Sequence, residues 1–199
     1  TTWETIASTA TGTPITVNTN DKVLIKGSNT QYSTSKTNYS AFSGGTARYN
    51  VKGNIMSLIY GDNFTRQTTL TQSWALANVF NYSNIVSAEN LVMPATTLTQ
   101  YCYRATFANC TSLIIAPVLI ATTLAEGCYW YMFDNDVSLT SAPSLPATTL
   151  AIGCYNGMFH ACSALSIAPD LLAATVPTSG YNRMFEACVN LNYIKCLAT

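Results

Sequence analysis

Phe80, Phe107, Phe133, Phe159 and Phe185 stand 27, 26, 26 and 26 residues apart, and several other residue types keep the same step. Leu113, Leu139, Leu165 and Leu191 form one further column, and Tyr103, Tyr129, Tyr155 and Tyr181 another. The pairs Ala116-Pro117, Ala142-Pro143 and Ala168-Pro169 form a third. The string ATTL recurs at 95, 121 and 147 and drifts to AATV at Ala173, while the first copy, around Phe80, carries one extra residue before it. A period of roughly 20–50 residues held by independent columns marks a stacked array, because one unit cannot bury its apolar face alone and must cover it with its neighbours.

Within a unit the spacing resolves into two parts. Cys128, Tyr129, Met132, Phe133 and Asp136 fall at i, i+1, i+4, i+5 and i+8, one face of a helix. That face is expected to turn inward, as are Cys154, Tyr155, Met158, Phe159 and Cys162, and Tyr181, Met184, Phe185 and Cys188. The stretch from Leu139 to Leu145 contains Pro143 and runs into Pro146, which limits it to a brief strand. The expected fold class is therefore an α/β repeat, a solenoid with a short strand and a short helix in each 26-residue rung.

Charge divides the chain. Residues 1–66 carry Lys22, Lys26, Lys36, Arg48, Lys52 and Arg66 against Glu4, Asp21 and Asp62, a balance of 6 − 3 = +3. From residue 67 onward Arg104, Arg183 and Lys195 face Glu89, Glu126, Asp134, Asp136, Asp170 and Glu186, a balance of 3 − 6 = −3. Two units are read: a β-rich amino-terminal cap module over 1–66 and the repeat region over 67–199. In the first, Ile15 to Lys26 reads as a hairpin with its turn at Asn18 to Asp21. Ala47, Tyr49 and Val51 alternate with Arg48, Asn50 and Lys52 as a half-buried strand, Ile55 to Tyr60 continues the apolar pattern, and Ser28 to Ser40 reads as an exposed loop. Shielding the first rung from water is the simplest role for such a module. A chain that opens at Thr1 without Met or an apolar leader is expected to be a processed or excised piece of a parent protein with further domains.

Charged residues make up only 9% of the chain at zero net charge, so there is no excess of Lys or Arg to neutralise a phosphate backbone, and nucleic acid is not an expected partner. The longest apolar stretch, Leu113 to Ala121, is interrupted by Pro117 and is far short of the roughly 20 residues that cross a bilayer. Six of the seven cysteines sit in two repeat columns, Cys102, Cys128, Cys154 and Cys110, Cys162, Cys188. Gly180 and Asp136 stand in those columns where a cysteine would, so no cysteine needs a fixed partner, and free buried thiols are expected. Helices stacked about 8–10 Å apart would also be too far apart for a same-column disulfide, which needs Cα atoms within about 7 Å. No CxxC pair exists and there is a single histidine, so no metal site and no cofactor are expected.

Two groups of residues are candidates for binding. Asp134, His160 and Glu186 occupy one slot in successive units and should line up on the outer face; such a column either holds a cation, assists a proton transfer or is a solvated stripe. Trp130 and Tyr131 fall off the inward face, where the equivalent slots hold Arg104-Ala105, Asn156-Gly157 and Asn182-Arg183. Exposed aromatics in a neutral setting stack on sugar faces or anchor a protein partner; packing against a neighbouring segment is the alternative. Trp74 and Tyr82 are further aromatics near the first unit. Catalysis finds no support: the carboxylates are scattered, and no GxSxG, HExxH, phosphate-loop or dinucleotide fingerprint occurs.

Units such as APSLPATTLAIGCYNGMFHACSAL, Ala142 to Leu165, resemble the leucine-rich repeats of the BspA-like surface proteins of gut bacteria, over about residues 67–199 and through the joint CY, MF, C and AP columns. The segment with Trp3, ITVNTNDKVLIKG and VKGNIMSLIYGDNF resembles, more loosely, the β-rich module that precedes such repeats. The resemblance implies a cell-surface or extracellular location and a role in adhesion or binding, with a host or microbial surface glycan or protein as partner, and it carries over no catalytic residue. A related gut-phage protein is a second source for the same pattern. The competing role is architectural, a spacer or tail-fibre segment with no ligand of its own.

Overall fold

A computed structural model describes residues 4–6, 9 and 12–198; Trp3 lies outside the described residues. The expected helix over 128–136 is not formed. From Gly127 to Asn135 the backbone is a chain of overlapping turns, and every fourth residue is left-handed: Gly127 at φ 57°, Tyr131 at 55° and Asn135 at 61°. The same slots are left-handed in the other units, at Trp74, Asn78 and Tyr82, at Tyr101, Ala105 and Asn109, at Gly153, Gly157 and Ala161, and at Ser179, Arg183 and Ala187. Alternate N–H groups close a turn onto the carbonyl three residues back, as Trp130 does on Gly127 (3.0 Å) and Met132 on Tyr129 (3.1 Å). The N–H groups between them leave the unit altogether. Tyr129, Tyr131, Phe133 and Asn135 donate to the carbonyls of Cys154, Asn156, Met158 and His160 in the next unit at 2.8–3.0 Å. An α-helix would direct every N–H four residues back within its own segment and would exclude a left-handed residue at each turn.

Because neighbouring units are joined through their backbones, they lie at a strand-like separation of about 4.8 Å rather than at the spacing of packed helices. The recurrent side chains therefore meet face to face. Phe80, Phe107, Phe133, Phe159 and Phe185 form one continuous file with ring centroids 5.4–5.8 Å apart, and Tyr103, Tyr129, Tyr155 and Tyr181 form another at 5.8–6.0 Å. Cys128, Tyr129, Met132, Phe133 and Asp136 are all buried, and so are their counterparts Cys154, Tyr155, Met158, Phe159 and Cys162. All seven cysteines are unpaired, six of them buried and Cys196 exposed. In one column the thiols of Cys110, Cys162 and Cys188 donate to the carbonyls of Phe80, Phe133 and Phe159 in the preceding units. Asp136 takes the same slot, accepts the Cys110 N–H at 2.8 Å, and is pushed well above the usual carboxylate range by its burial. A shorter file of amides runs beside it, with Asn109 donating to Asn81 (3.2 Å) and Asn135 donating to Asn109 (3.1 Å).

The remaining part of each unit is extended, but its proline columns leave only isolated parallel bridges where short strands were expected, such as Ser87 to Ile115, Ser141 to Ile167 and Thr97 to Thr123. Named strands occur only near the amino-terminal end. β1 (Tyr49–Asn50) pairs in parallel with β3 (Ile85–Ser87), and β2 (Gly53–Asn54) pairs with β4 (Leu91–Val92). The half-buried alternation expected around β1 is largely absent, since Tyr49 and Asn50 are exposed and Val51 alone packs on the core.

The segment ahead of the first repeat lies along that repeat as an irregular extra row. Tyr32 and Phe42 donate their N–H groups to Ala75 and Val79, and Tyr49, Val51, Gly53 and Ile55 donate to Asn84, Ser87, Asn90 and Val92. Buried Ile55, Met56, Leu58 and Ile59 lead through α1 (Ser57–Tyr60) into a 3-10 helix over Gly61–Arg66, and they join one core that runs from Tyr32 to Cys188. The expected hairpin over Ile15 to Lys26 keeps its turn, closed by Asp21 N–H to Asn18 O at 3.1 Å, but no strands form there and Val23, Leu24 and Ile25 are exposed. In the polar loop, Tyr32 and Ser33 are buried, and the tip is closed by an antiparallel bridge from Ser33 to Tyr39. Among the described residues no helix is long and apolar enough to cross a membrane.

Candidate functional site

The turn chain has an inward and an outward edge, and the outward edge carries the chemistry. Trp130 and Tyr131 are half-buried members of a row of rings that crosses four units. Trp74 stacks on Tyr101 with centroids 4.6 Å apart; Tyr101 lies 6.0 Å from Trp130, Trp130 lies 5.9 Å from Tyr131, and the Tyr131 ring meets His160 edge-on at 6.1 Å. Three of these aromatics, Trp74, Tyr101 and Tyr131, occupy left-handed slots, where a bulky side chain is uncommon. Their setting explains how two of them fit. The ring of Tyr101 covers Gly127 and that of Tyr131 covers Gly157, the left-handed glycine of the same column in the next unit. A Cβ on either glycine would come within 2.2 Å of the ring. The two rings thus pack directly on the backbone of the next unit.

Arg104 occupies the same slot as Trp130, one unit earlier. Its guanidinium carbon lies 5.7 Å from the centre of the Trp74 ring and 5.8 Å from that of Trp130, between two indoles. Burial lowers its pKa, while the negative ends of Tyr131, Asp134, Tyr101 and Tyr39 oppose that shift. Nearby acids already have partners. Glu126 accepts from the Tyr101 hydroxyl at 2.6 Å and from Gln100 at 3.3 Å, and the bond to Glu126 is the main cause of a raised Tyr101 pKa. The indole N–H of Trp130 is enclosed and meets no acceptor.

Of the Asp134, His160 and Glu186 column, the structure brings two members together. His160 Nδ1 lies 2.6 Å from Asp134 Oδ1, both side chains being about one quarter exposed. Glu186 turns instead to Arg183, three residues back, through two hydrogen bonds that hold its carboxyl below the usual range. The column therefore does not converge on a point, and among the described residues no group of three or more His, Cys, Asp or Glu is placed to hold a metal. Tyr82 is well exposed, and its ring takes no part in the row.

Sequence reasoning missed Tyr101, Arg104 and Glu126. A signal was present: Tyr101 stands in the column of Gly127 and Gly153, and Arg104 in the column of Trp130, so both belong to the variable outward slots. Reading one unit at a time hid them, because the row is built from different slots of adjacent units. Comparison with protein-family models, with curated proteins and with solved structures finds no match.

Proposed function

We propose that this chain is a cell-surface or extracellular binding module. In this reading its 26-residue rungs form a solenoid of the leucine-rich-repeat type, covered at one end by the 1–66 cap, and the outward edge of the turn chain binds a glycan. The supporting observation is the row Trp74, Tyr101, Trp130, Tyr131, His160, in which half-buried rings already pack on one another and two of them, Tyr101 and Tyr131, rest on glycines of the next unit without any ligand. Such preorganisation lowers the ordering cost of binding. A sugar fits this row better than a protein does. Protein anchors work inside a surround of apolar contacts, whereas here the neighbours are Arg104, Glu126, Asp134 and His160, and the exposed aliphatics Ile114, Ile115, Val118 and Ile120 lie on the extended part of the unit. No catalytic role is proposed, since the single histidine is engaged with Asp134 and Glu186 is engaged elsewhere.

The test is an oligosaccharide array followed by titration of any hit. Trp130→Ala and Tyr131→Ala are expected to weaken binding by about tenfold or more each, with the melting temperature used to confirm folding. Retention of full affinity by both variants, or an array with no hit, overturns the site. The second reading, an architectural spacer, is favoured by the unbroken backbone ladder, and a parent protein whose binding survives deletion of the repeats would support it.

A further inference from the structure

The Arg104 side chain has ring partners but no acceptor among the described residues. A guanidinium carries five N–H donors in a planar fork and stays charged at neutral pH, so where its own chain supplies no acceptor the fork is available to an outside anion. Yet among the described residues no oxygen accepts a hydrogen bond from the Arg104 guanidinium and no carboxylate forms an ion pair with it; it lies against the rings of Trp74 and Trp130, with Asp134 acting on it only at longer range. Asp134, the acid that acts on it, is held by His160, and Glu126 is held by Tyr101 and Gln100. Beside it the Trp130 N–H is enclosed and meets no acceptor, whereas the guanidinium nitrogens of Arg104 are not enclosed and are open to a ligand. Aromatic faces thus fix the cation in position while its hydrogen-bonding edge is left for something outside the chain.

We propose that Arg104, with Trp74, Tyr101 and Trp130 around it, is a subsite for a carboxylate-bearing sugar within an acidic polysaccharide. This assignment rests on the glycan reading of the row and narrows it to one class of sugar. The chemistry matches in both halves. A carboxylate on a sugar ring pairs with a planar guanidinium through two parallel hydrogen bonds. The C–H groups of the same sugar pack on the outward rims of the half-buried rings, whose faces are taken by one another and by Arg104. The ring row follows the direction in which the units stack, so an extended polymer laid along it meets an aromatic in each of several units. An acidic peptide would satisfy the guanidinium but would leave the row of rings unused.

Fluorescence titration reads this directly, because Trp74 and Trp130 are two of the three tryptophans in the chain. The probes are a uronic-acid tetrasaccharide, the same tetrasaccharide with its carboxyls reduced to alcohols, a sulfated neutral tetrasaccharide and an oligoglutamate peptide. The wild-type protein is expected to bind the uronic-acid form at least about tenfold more tightly than the reduced form. Arg104→Gln is expected to remove most of that difference, read as the ratio of the variant's own affinities for the two forms. Arg104→Lys, which keeps the charge but loses the fork, is expected to retain only part of it, and it decides the matter if Arg104→Gln melts early. Equal affinity for the uronic-acid and reduced forms, a preference for the sulfated form, or selectivity unchanged in the Arg104 variants overturns the carboxylate subsite and leaves the glycan reading standing. Preference for oligoglutamate over every saccharide, or no binding of any saccharide, overturns both.

Discussion

At the scale of single residues the fold turns on positions where φ is positive. A left-handed residue other than glycine costs about 1–2 kcal/mol, and the units tolerate it at Tyr101, Ala105, Tyr131 and Ala161 because the ladder to the next unit fixes the backbone there. Gly153 and Gly157 separate this conformational effect from packing. A Cβ at Gly153 meets nothing within 4 Å, whereas one at Gly157 runs into the Tyr131 ring. Gly153→Ala is therefore expected to lower unfolding free energy by about 1–2 kcal/mol, and Gly157→Ala by a further ~1–3 kcal/mol through the displaced ring. Urea unfolding of the two variants checks the order, and equal losses would show that the ring moves aside freely. Part of this was legible. Gly127, Gly153 and Gly157, with Asn78, Asn109 and Asn135, recur at slots four apart, and these are the residue types that favour the left-handed region. Tyrosine, alanine and arginine in the same columns masked the pattern. The register of Asp134 with His160 was also readable, but the departure of Glu186 was not, because it depends on a local partner, Arg183, rather than on the repeat.

At the scale of the element, the helical reading failed for a definable reason. The inward positions i, i+1, i+4, i+5 and i+8 suit a four-residue turn repeat as well as they suit a helix of 3.6, and nine residues are too few to separate the two periods. The consequence is large, since a helix is self-sufficient in hydrogen bonds while this turn chain exports half of its donors. The expectation of unpaired thiols was argued partly from helix spacing; at a strand-like separation that argument lapses, and the interchangeable columns and burial carry it instead. Exported donors also give the stack a direction. Donation runs from each unit to the one after it, so the last unit has N–H groups at Tyr181, Arg183, Phe185 and Ala187 that meet no backbone carbonyl among the described residues. Amide hydrogen exchange at these four positions is expected to be at least about a hundredfold faster than at Tyr129, Tyr131, Phe133 and Asn135 in the same slots of an inner unit. Comparable protection in both sets would mean that another segment covers the end of the stack.

At the scale of the whole molecule, stability is concentrated in one neutral interior. Desolvation raises the thiols of Cys102 to about 12 and Cys154 to about 11, moves Cys128 well above its ordinary value, and raises the hydroxyls of Tyr103 and Tyr129 in the same direction. These are acidic groups whose folded values lie above their unfolded ones. Their contribution is complete below about pH 8, where the unfolded thiols and hydroxyls still hold their protons, and it is lost as pH rises through the folded values. The urea midpoint is therefore expected to fall steadily above about pH 9, and a thiol reagent at pH 8 is expected to label Cys196 and spare the six buried cysteines until the protein unfolds. Rapid labelling of all seven in the folded protein would contradict a closed core.

The sequence by itself determined which side chains repeat, at what step, and which of them are apolar enough to be driven together, because column identity and hydropathy are properties of the chain alone. It also placed Trp130, Tyr131, Asp134 and His160 on the outward side. Tertiary structure decided where the backbone donors go. Only contact between units fixes the left-handed slots, closes the spacing, and sets Arg104 of one unit between Trp74 and Trp130 of its neighbours. Those are interactions between residues about one repeat apart, 25 for the ladder bonds of Tyr129 and Tyr131 to Cys154 and Asn156, and no local pattern in the chain encodes them.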